Sequence, residues 1–420
     1  MTNAMRRVLL GVASVGLLAQ LPPALRSRNG AAPLILITVD TLRADRLECY
    51  GYTQIKTPHI NRLATDGSLF SNAFAHVPLT LPSHWSILTG TYPTFHGVRH
   101  NAYAEPRRDT PSLAEALKSG GYASAAFVGS FVLDRRFGLA RGFDYYFDNF
   151  SASRHEGVSP ADVERRGDEV VKAFAGWLAH QTHSRFFAWI HLFDPHAPYD
   201  PPEPFRSLYS GPPYDGEVAF IDRLVGEIVS LLQSKYPNAT IIFTADHGEA
   251  LGEHGEETHG LFLYDASLHV PLIVKTGGTR KGSVIDSQVR SIDIAPTLLA
   301  LAGLQRPGSM QGTNLVPLLR GGRSKAPSSS YSETYYPTYG FGWSELRSVR
   351  TEQFKYIDAP RPELYDLASD PKESRNLVAS NGAAAARMKD LLFETVRLSS
   401  GGVPREAPLE RKVDPATLER

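Results

Sequence analysis

Short apolar runs, several of them rich in β-branched residues, recur along this 420-residue chain and constrain its fold more than any other feature. They occupy 34–39, 122–128, 186–192, 239–245 and 270–275. An unbroken apolar run of this length is typical of a strand that is covered on both faces. Segments with helical signals lie between the runs. The alternation predicts an α/β fold, with a mostly parallel central sheet and helices on both faces.

The intervening segments carry the start signals and the periodicity of helices. Thr57-Pro58 and Thr110-Pro111 each have the pattern of an N-cap residue followed by proline at the first helical position. Over 215–235, apolar residues recur with the 3.6-residue period of a helix that has one buried face. We therefore expect helices after Thr57 and after Thr110, and a long helix over 215–235.

The segment 1–30 has the pattern of an export signal. Arg6 and Arg7 precede an apolar run over 8–19, and Pro22 and Pro23 follow it. A basic flank, a short apolar stretch and helix breakers are typical of a secretory signal, whereas a spanning helix needs about 20 apolar residues. Because no clear cleavage site follows, an uncleaved anchor is the alternative. Both interpretations predict export to the periplasm or another extracytoplasmic location.

A Gly-, Ser- and Lys-containing segment at 321–330 predicts a boundary in the remaining chain. We expect a catalytic domain over 31–325. A small C-terminal α+β subdomain with a tail would occupy 326–420.

Charge and cysteine content exclude several classes of protein. Lys plus Arg and Asp plus Glu are both 44, so the balance gives no sign of a nucleic-acid groove. Cys49 is the only cysteine, which rules out a disulfide within the chain. Any membrane contact is expected only through an uncleaved N-terminal segment.

Acidic and imidazole side chains follow three of the predicted strands. Asp40 ends the first run, Asp246-His247 end the fourth, and His191 and His196 lie at the end of the third. In open α/β sheets, ligands bind beyond the carboxyl ends of the strands. Carboxylates and imidazoles are ligands for Zn²⁺ and similar divalent ions. The sequence therefore predicts a metal site at this edge.

Thr80 lies just before Pro82-Ser83, which have the pattern of a helix start. A helix N-terminus favours anions, because its free N–H groups and its dipole point at the ligand. A threonine hydroxyl is a poor nucleophile unless a base or a metal removes its proton. Taken alone, the segment is better explained by a capping hydroxyl on a packed helix.

In this order, these pieces resemble the sulfatase family of the alkaline phosphatase superfamily. The matching segments are 36–45 (LITVDTLRAD), 57–64 (TPHINRLA), 80–84 (TLPSH) with 88–90 (LTG), 246–249 (DHGE) and 363–377 (ELYDLASDPKESRNL). The resemblance implies an alkaline phosphatase-like fold and a metal-dependent ester hydrolase.

The departures from the family pattern bear on the chemistry. Sulfatases convert a Cys or Ser of the nucleophile motif to formylglycine, and Thr80 is neither. His84 replaces the motif's arginine, Thr41 stands where many sulfatases carry a second metal-binding Asp, and His247 stands where they carry Asn. Each change makes the site resemble that of relatives that use an unmodified threonine to attack phosphoesters.

The resemblance and the chemistry together suggest roles for the site residues. The predicted metal ligands are Asp40, Thr80, Asp246, His247 and His259. The predicted catalytic residues are Thr80, His84 and His196, and the predicted substrate-binding residues are His191, His196 and His259. We expect a divalent ion, Zn²⁺ or Mn²⁺ with Ca²⁺ or Mg²⁺ as alternatives, and a second ion if His259 completes another position.

We expect a hydrolase of phosphate monoesters, diesters or phosphonate esters that uses metal-activated Thr80. The substrate would be a small-molecule, sugar or lipid ester. The alternatives are a sulfuric ester hydrolase working without formylglycine, a phosphotransferase, and a non-catalytic envelope- or carbohydrate-binding protein.

Overall fold

A computed structural model describes residues 32–101, 106–150, 164–209, 211–323 and 329–401. The segment predicted to direct export lies outside these residues. Within them, no helix combines the length and the apolar character needed to cross a membrane.

A large mixed sheet forms the centre of the molecule. Its strands are β1 Leu34–Val39, β2 Ser68–Phe74, β3 Ala123–Phe127, β4 Tyr145–Phe147, β5 Phe186–Leu192, β6 Thr240–Ala245, β7 His269–Lys275, β8 Ser283–Ile285 and β9 Val289–Arg290. They lie in the order β4-β3-β5-β1-β6-β7-β2-β8, and β9 also pairs with β2. Only the pairs β6–β7 and β7–β2 are antiparallel in the described part of the sheet. The predicted mostly parallel α/β sheet is thus confirmed.

Helices surround this sheet. They are α1 Pro58–Asp66, α2 Thr80–Thr89, α3 Pro93–His96, α4 Leu113–Ser119, α5 Gly167–Ala179, α6 Phe205–Leu208, α7 Pro213–Lys235, α8 Asp265–Leu268, α9 Ile294–Leu301 and α10 Val316–Leu319. Helices α1, α5 and α7 pack as one group, and α2, α4 and α9 as another. Every residue of β1, β5 and β6 is buried, as strands covered on both faces must be.

The helix predicted after Thr57 is confirmed, and the starts of the two other predicted helices are corrected. The helix expected after Thr110 begins at Leu113, because Ser112 is its N-cap and accepts a hydrogen bond from the N–H of Glu115. The long helix predicted over 215–235 begins two residues earlier, at Pro213.

A second, antiparallel sheet and two helices form the described C-terminal part. The strands are β10 Ser330–Thr334, β11 Leu346–Arg350, β12 Phe354–Asp358 and β13 Glu363–Asp366, and the helices are α11 Tyr336–Phe341 and α12 Gly382–Ser399. Helix α12 packs on β11 and β12. This confirms a small C-terminal α+β unit, while its predicted boundary at 325/326 falls among residues that are not described.

Helix α7 carries a buried acid whose ionisation opposes folding. Glu217 is 5% exposed, and its Oε1 accepts a hydrogen bond from the N–H of Asp200. Burial and the nearby charge of Asp194 raise the pKa of Glu217 to about 8. A pKa raised in the folded state stabilises the protein fully below the unfolded pKa, and this contribution is lost as pH rises through the folded value.

We expect Glu217→Gln to become more stable relative to the parent as pH rises from 5 to 8, by on the order of 1 kcal/mol or more. The measurement is the difference between the two thermal unfolding temperatures at each pH. Glu227→Gln, at an exposed position of the same helix, is the control and should give a smaller pH-dependent change. A pH-independent difference for Glu217→Gln would contradict the assignment.

Candidate metal centre and nucleophile

The strand register brings two carboxylates together. Val39, the last residue of β1, pairs with Ala245, the last residue of β6, and Asp40 and Asp246 follow directly. The N–H of Asp246 donates to the Val39 carbonyl, and the N–H of Asp40 donates to the carbonyl of Leu192 at the end of β5. Three neighbouring parallel strands therefore end at one point, as the sequence predicts.

The two carboxylates are fully buried and affect one another. Burial raises the pKa of Asp40, but the nearby imidazoles of His191, His196 and His247 outweigh it and hold that pKa well below its usual value. For Asp246, burial and then the charge of Asp40 raise the pKa well above the usual value. Two buried like charges are costly without a compensating cation.

The donor set of this cluster fits a divalent metal ion. Ligand atoms of Asp40, Asp246 and His247 all lie within 4.8 Å of one another, and all three residues are buried. Asp246 Oδ2 and His247 Nε2 have no hydrogen-bond partner. The Nδ1–H of His247 donates to the Gly248 carbonyl over 2.9 Å, so Nε2 presents its lone pair to the cluster. These three residues can hold the ion.

Thr80 lies beside the carboxylates at the start of α2. Its Oγ1 is 3.5 Å from Oδ1 and 3.4 Å from Oδ2 of Asp40. The side chain is 2% exposed. The next N–H, that of Leu81, is capped by Asn101 Oδ1 at 2.9 Å. The predicted nucleophile therefore faces the predicted metal ligands at a helix N-terminus.

His84 lies one turn further along α2, and both of its ring nitrogens have partners. Nδ1 is 2.7 Å from the Thr80 carbonyl oxygen and 3.5 Å from Asp246 Oδ2, and Nε2 is 3.0 Å from Thr38 Oγ1. The structure thus brings His84 to the site, although it could act on substrate only by giving up one of these bonds.

His191 and His196 differ in whether their free Nε2 carries a proton. His191 Nδ1 accepts a hydrogen bond from the N–H of Gly129, so the proton of the neutral ring is on Nε2, which lies 3.5 Å from Asp40 Oδ2. His196 Nδ1 lies against the carbonyl of Ala197, which leaves its Nε2 with a lone pair. The first ring is a hydrogen-bond donor to the site, and the second is an acceptor.

His259 is held by a carboxylate that sequence reasoning did not single out. Its Nδ1 is 3.0 Å from Oε1 of the buried Glu249, whose Oε2 accepts from the Tyr199 hydroxyl. Burial lowers the pKa of His259, but Glu249 outweighs it and raises the pKa above the usual value. The His259 ring centroid lies 4.5 Å from that of His247 and 5.1 Å from that of His196.

Two further features of the DHGE region and of β1 were not predicted. A Cβ at Gly248 would lie 2.2 Å from the Ala266 carbonyl oxygen, so glycine is required there. Thr41 has φ 53° and a buried hydroxyl without a partner. A left-handed β-branched residue stores strain of about 1–3 kcal/mol and is typical of functional sites. Glu249 is the acid of the DHGE motif, and that motif was the sequence signal from which the partner of His259 could have been found.

The fold and the site define an ester hydrolase with an alkaline phosphatase-like sheet and a cluster that can hold a divalent metal. The family model described as "Sulfatase" matches residues 33–304, and "N-sulphoglucosamine sulphohydrolase, C-terminal" matches residues 252–397. The chain therefore belongs to the sulfatase family and is a hydrolase acting on sulfuric or phosphoric ester bonds.

Relatives match over most of their length. The uncharacterized sulfatase YidJ of Escherichia coli (strain K12) is 24% identical, over 84% of both chains. The arylsulfatase of Clostridium perfringens is 23% identical, over 83% of this chain and 90% of its own. The phosphonate monoester hydrolase of Agrobacterium radiobacter has a TM-score of 0.75 at 24% identity, over 88% of this chain and 96% of its own. A structure in complex with its substrate D-glucosamine-2-N,6-O-disulfate has a TM-score of 0.77 at 20% identity, and the match covers 90% of this chain and 100% of its own. The structural likenesses establish the fold.

We expect the Asp246→Asn protein to lose its bound divalent metal, as measured by elemental analysis after purification. Without metal, this variant should unfold at or above the temperature of the parent near pH 7, because the substitution removes an acid whose pKa is raised by burial beside Asp40 and whose ionisation therefore opposes folding. Added Zn²⁺ or Mn²⁺ should raise the unfolding temperature of the parent alone. Asp168→Asn, at an exposed position on α5, is the charge-matched control and should keep its metal. Full metal content in Asp246→Asn would contradict the ligand assignment.

Proposed function

We propose that this protein hydrolyses phosphoesters by attack of the Thr80 hydroxyl on phosphorus. The observation that carries the proposal is the position of Thr80 Oγ1, 3.4 Å from Asp40 Oδ2 at the first residue of α2. Asp40, Asp246 and His247 would hold the divalent ion, and Zn²⁺ or Mn²⁺ suits this mixed carboxylate and imidazole set. Ca²⁺ or Mg²⁺, and a second ion beside His259, are the alternatives.

A bound cation would supply the Lewis acidity that lowers the pKa of the Thr80 hydroxyl and offsets developing negative charge. In the first step, Thr80 Oγ bonds to phosphorus and the bond from phosphorus to the ester oxygen breaks. The proton that leaves Thr80 passes to solvent water. One proton is delivered to the departing alcohol by an acid that regains it from solvent, so the step balances in protons. In the second step, a water molecule attacks the phosphothreonine phosphorus, the Oγ–P bond breaks, and a water proton passes to Thr80.

The imidazoles have separate roles in this proposal. His259 protonates the departing oxygen, because Glu249 binds its Nδ1 and favours the protonated ring. His191 donates its Nε2–H to a non-bridging oxygen, as the hydrogen bond from Gly129 fixes the proton there. His196 has an unprotonated Nε2 and is suited to orient the attacking water.

Charge favours a substrate with a single negative charge. In the described part of the chain, the ion-pair partners of Asp40 and Asp246 are all histidines. Burial and the neighbouring His259 lower the pKa of His247 to about 3, so its ring is neutral near pH 7. The guanidinium of Arg43 pairs with Asp45 and Glu253 instead. One divalent cation would therefore bring the net charge of the site, summed over the cation and the two carboxylates, close to zero.

Phosphodiesters and phosphonate monoesters carry one negative charge near pH 7, whereas phosphate monoesters approach two, because their second pKa is about 6. Two unit charges 4 Å apart interact by about 4 kcal/mol at an effective dielectric constant of 20. A site without a permanent cation of its own cannot compensate the second charge. The diester and the phosphonate monoester are therefore the proposed substrates among phosphoesters.

Sulfate esters are the second candidate, since a sulfate monoester also carries one charge. The family membership favours it, and relatives are described as an arylsulfatase and as an ulvan-active sulfatase. Thr80 argues against sulfate ester hydrolysis, because it would have to attack sulfur without the formylglycine of most sulfatases.

Helix α11 is proposed to contact the leaving group. A Cβ at Gly260, the residue after His259, would lie 3.2 Å from Tyr336 Cδ1, so the start of α11 adjoins the site. Tyr339, Phe341 and Trp343 follow and are 46%, 51% and 59% exposed. Aromatic side chains suit a sugar, aryl or lipid leaving group of a small ester substrate.

We expect Thr80→Ala to lower kcat by at least about 10³-fold, because the attacking oxygen is removed, while metal content and the circular dichroism spectrum stay unchanged. Thr80→Ser should retain measurable activity. Mass spectrometry of the peptide containing Thr80 should give the mass of unmodified threonine. Parental activity in Thr80→Ala would rule out the nucleophile.

We expect kcat/KM for nitrophenyl phosphodiesters and phosphonate monoesters to exceed that for nitrophenyl phosphate by about tenfold or more, since each 1.4 kcal/mol of charge compensation is worth tenfold. The sulfate ester is assayed with the same leaving group and the same ions. If the sulfate ester is the best substrate, the second candidate replaces the first. Preference for the phosphate monoester would contradict the charge argument.

A further inference from the structure

A chain of three hydrogen bonds connects the central sheet to the nucleophile. Trp189 Nε1 donates to Thr38 Oγ1 over 2.9 Å, and Thr38 Oγ1 lies 3.0 Å from His84 Nε2. His84 Nδ1 then lies 2.7 Å from the carbonyl oxygen of Thr80. Trp189, Thr38 and His84 are fully buried. The chain joins β5 and β1 to the first turn of α2.

The direction of these hydrogen bonds follows from what each group can donate. The Thr80 carbonyl can only accept, so His84 Nδ1 carries a proton. The indole N–H can only donate, so Thr38 Oγ1 accepts it and keeps its own hydroxyl proton for another partner. Among the described residues, the acceptor within reach of that proton is the lone pair of His84 Nε2. The opposite tautomer would place a lone pair 2.7 Å from the carbonyl oxygen.

We infer that Trp189 and Thr38 hold His84 as the neutral Nδ1–H tautomer, and that His84 is a positioning residue for the backbone of Thr80. It is therefore neither the proton donor to the leaving group nor a cation for the substrate. The functional consequence rests on the proposed nucleophile, whereas the tautomer does not.

One further observation supports this role. Thr38 is the polar side chain within the apolar run LILITV of β1, and its hydroxyl hydrogen-bonds to both Trp189 and His84. A buried hydroxyl at this position is accounted for by the two neighbours that it joins.

The tautomer is tested directly by NMR of the protein labelled with ¹⁵N-histidine. The His84 signals are assigned as those that are lost in His84→Asn. We expect a proton-bearing Nδ1 and a non-protonated Nε2 that accepts a hydrogen bond. A proton on Nε2, in either the other tautomer or the charged ring, would overturn the inference.

The positioning role is tested by a matched pair of variants. Thr38→Val keeps the shape of the side chain but removes the hydroxyl, and we expect kcat to fall about 10- to 100-fold with KM within about twofold, because small displacements of a reacting group carry penalties of this size. Thr38→Ser restores the hydroxyl and should recover most of kcat. Trp189→Phe removes the N–H donor together with part of the buried ring, and it should lower kcat less than Thr38→Val.

Unfolding temperatures show whether each variant is folded before its kinetics are compared. Equal kcat in the parent and in a folded Thr38→Val or Trp189→Phe protein would overturn the positioning role. If Thr80→Ala proves active while the NMR result holds, the proposed nucleophile fails and the tautomer assignment stands. The two ideas are thereby tested separately.

Discussion

The buried carboxylates of Asp40 and Asp246 are the constraint around which the rest of the site is arranged. Pairing of β1 with β6 fixes both at one edge of the sheet, and neither side chain is exposed. Proteins retain buried like charges when a cation or a proton compensates them. The site therefore sacrifices stability in the metal-free state, and the strained backbone of Thr41 beside it is a second cost of the same kind.

Around that pair, backbone and side-chain hydrogen bonds divide the imidazoles into donors and acceptors. In each ring, Nδ1 has a hydrogen-bond partner, and this partner differs from one histidine to the next. The pairs are His84 with the Thr80 carbonyl, His191 with the Gly129 N–H, His196 with the Ala197 carbonyl, His247 with the Gly248 carbonyl and His259 with Glu249. Rings of one residue type can thus bind a metal, donate to an oxygen or hold a backbone, because the partner sets the tautomer.

The sequence predicts the strands and the carboxylates because apolar runs mark strand ends, and parallel strands end at a common edge. The role of Thr80 is predicted from the resemblance of TLPSH to the sulfatase nucleophile motif. The sequence does not predict the partners of those residues. Thr38 and Trp189 are adjacent because β1 and β5 pair in one register, although they are 151 positions apart. A polar residue in an apolar strand signals an unknown partner but does not identify it. The start of α4 was misplaced for a local reason, since Ser112 caps it rather than Thr110.

The same sheet is found in structures described as a phosphonate monoester hydrolase and as a complex with a sugar disulfate. The sheet by itself therefore does not decide between phosphorus and sulfur, and selectivity has to arise from side chains placed on it. In this chain, Thr80 replaces a convertible residue, and His84 replaces an arginine. In the proposed mechanism, the first change keeps an alcohol as the attacking group. The second removes a permanent positive charge, so a bound cation would have to supply most of the compensation for the substrate.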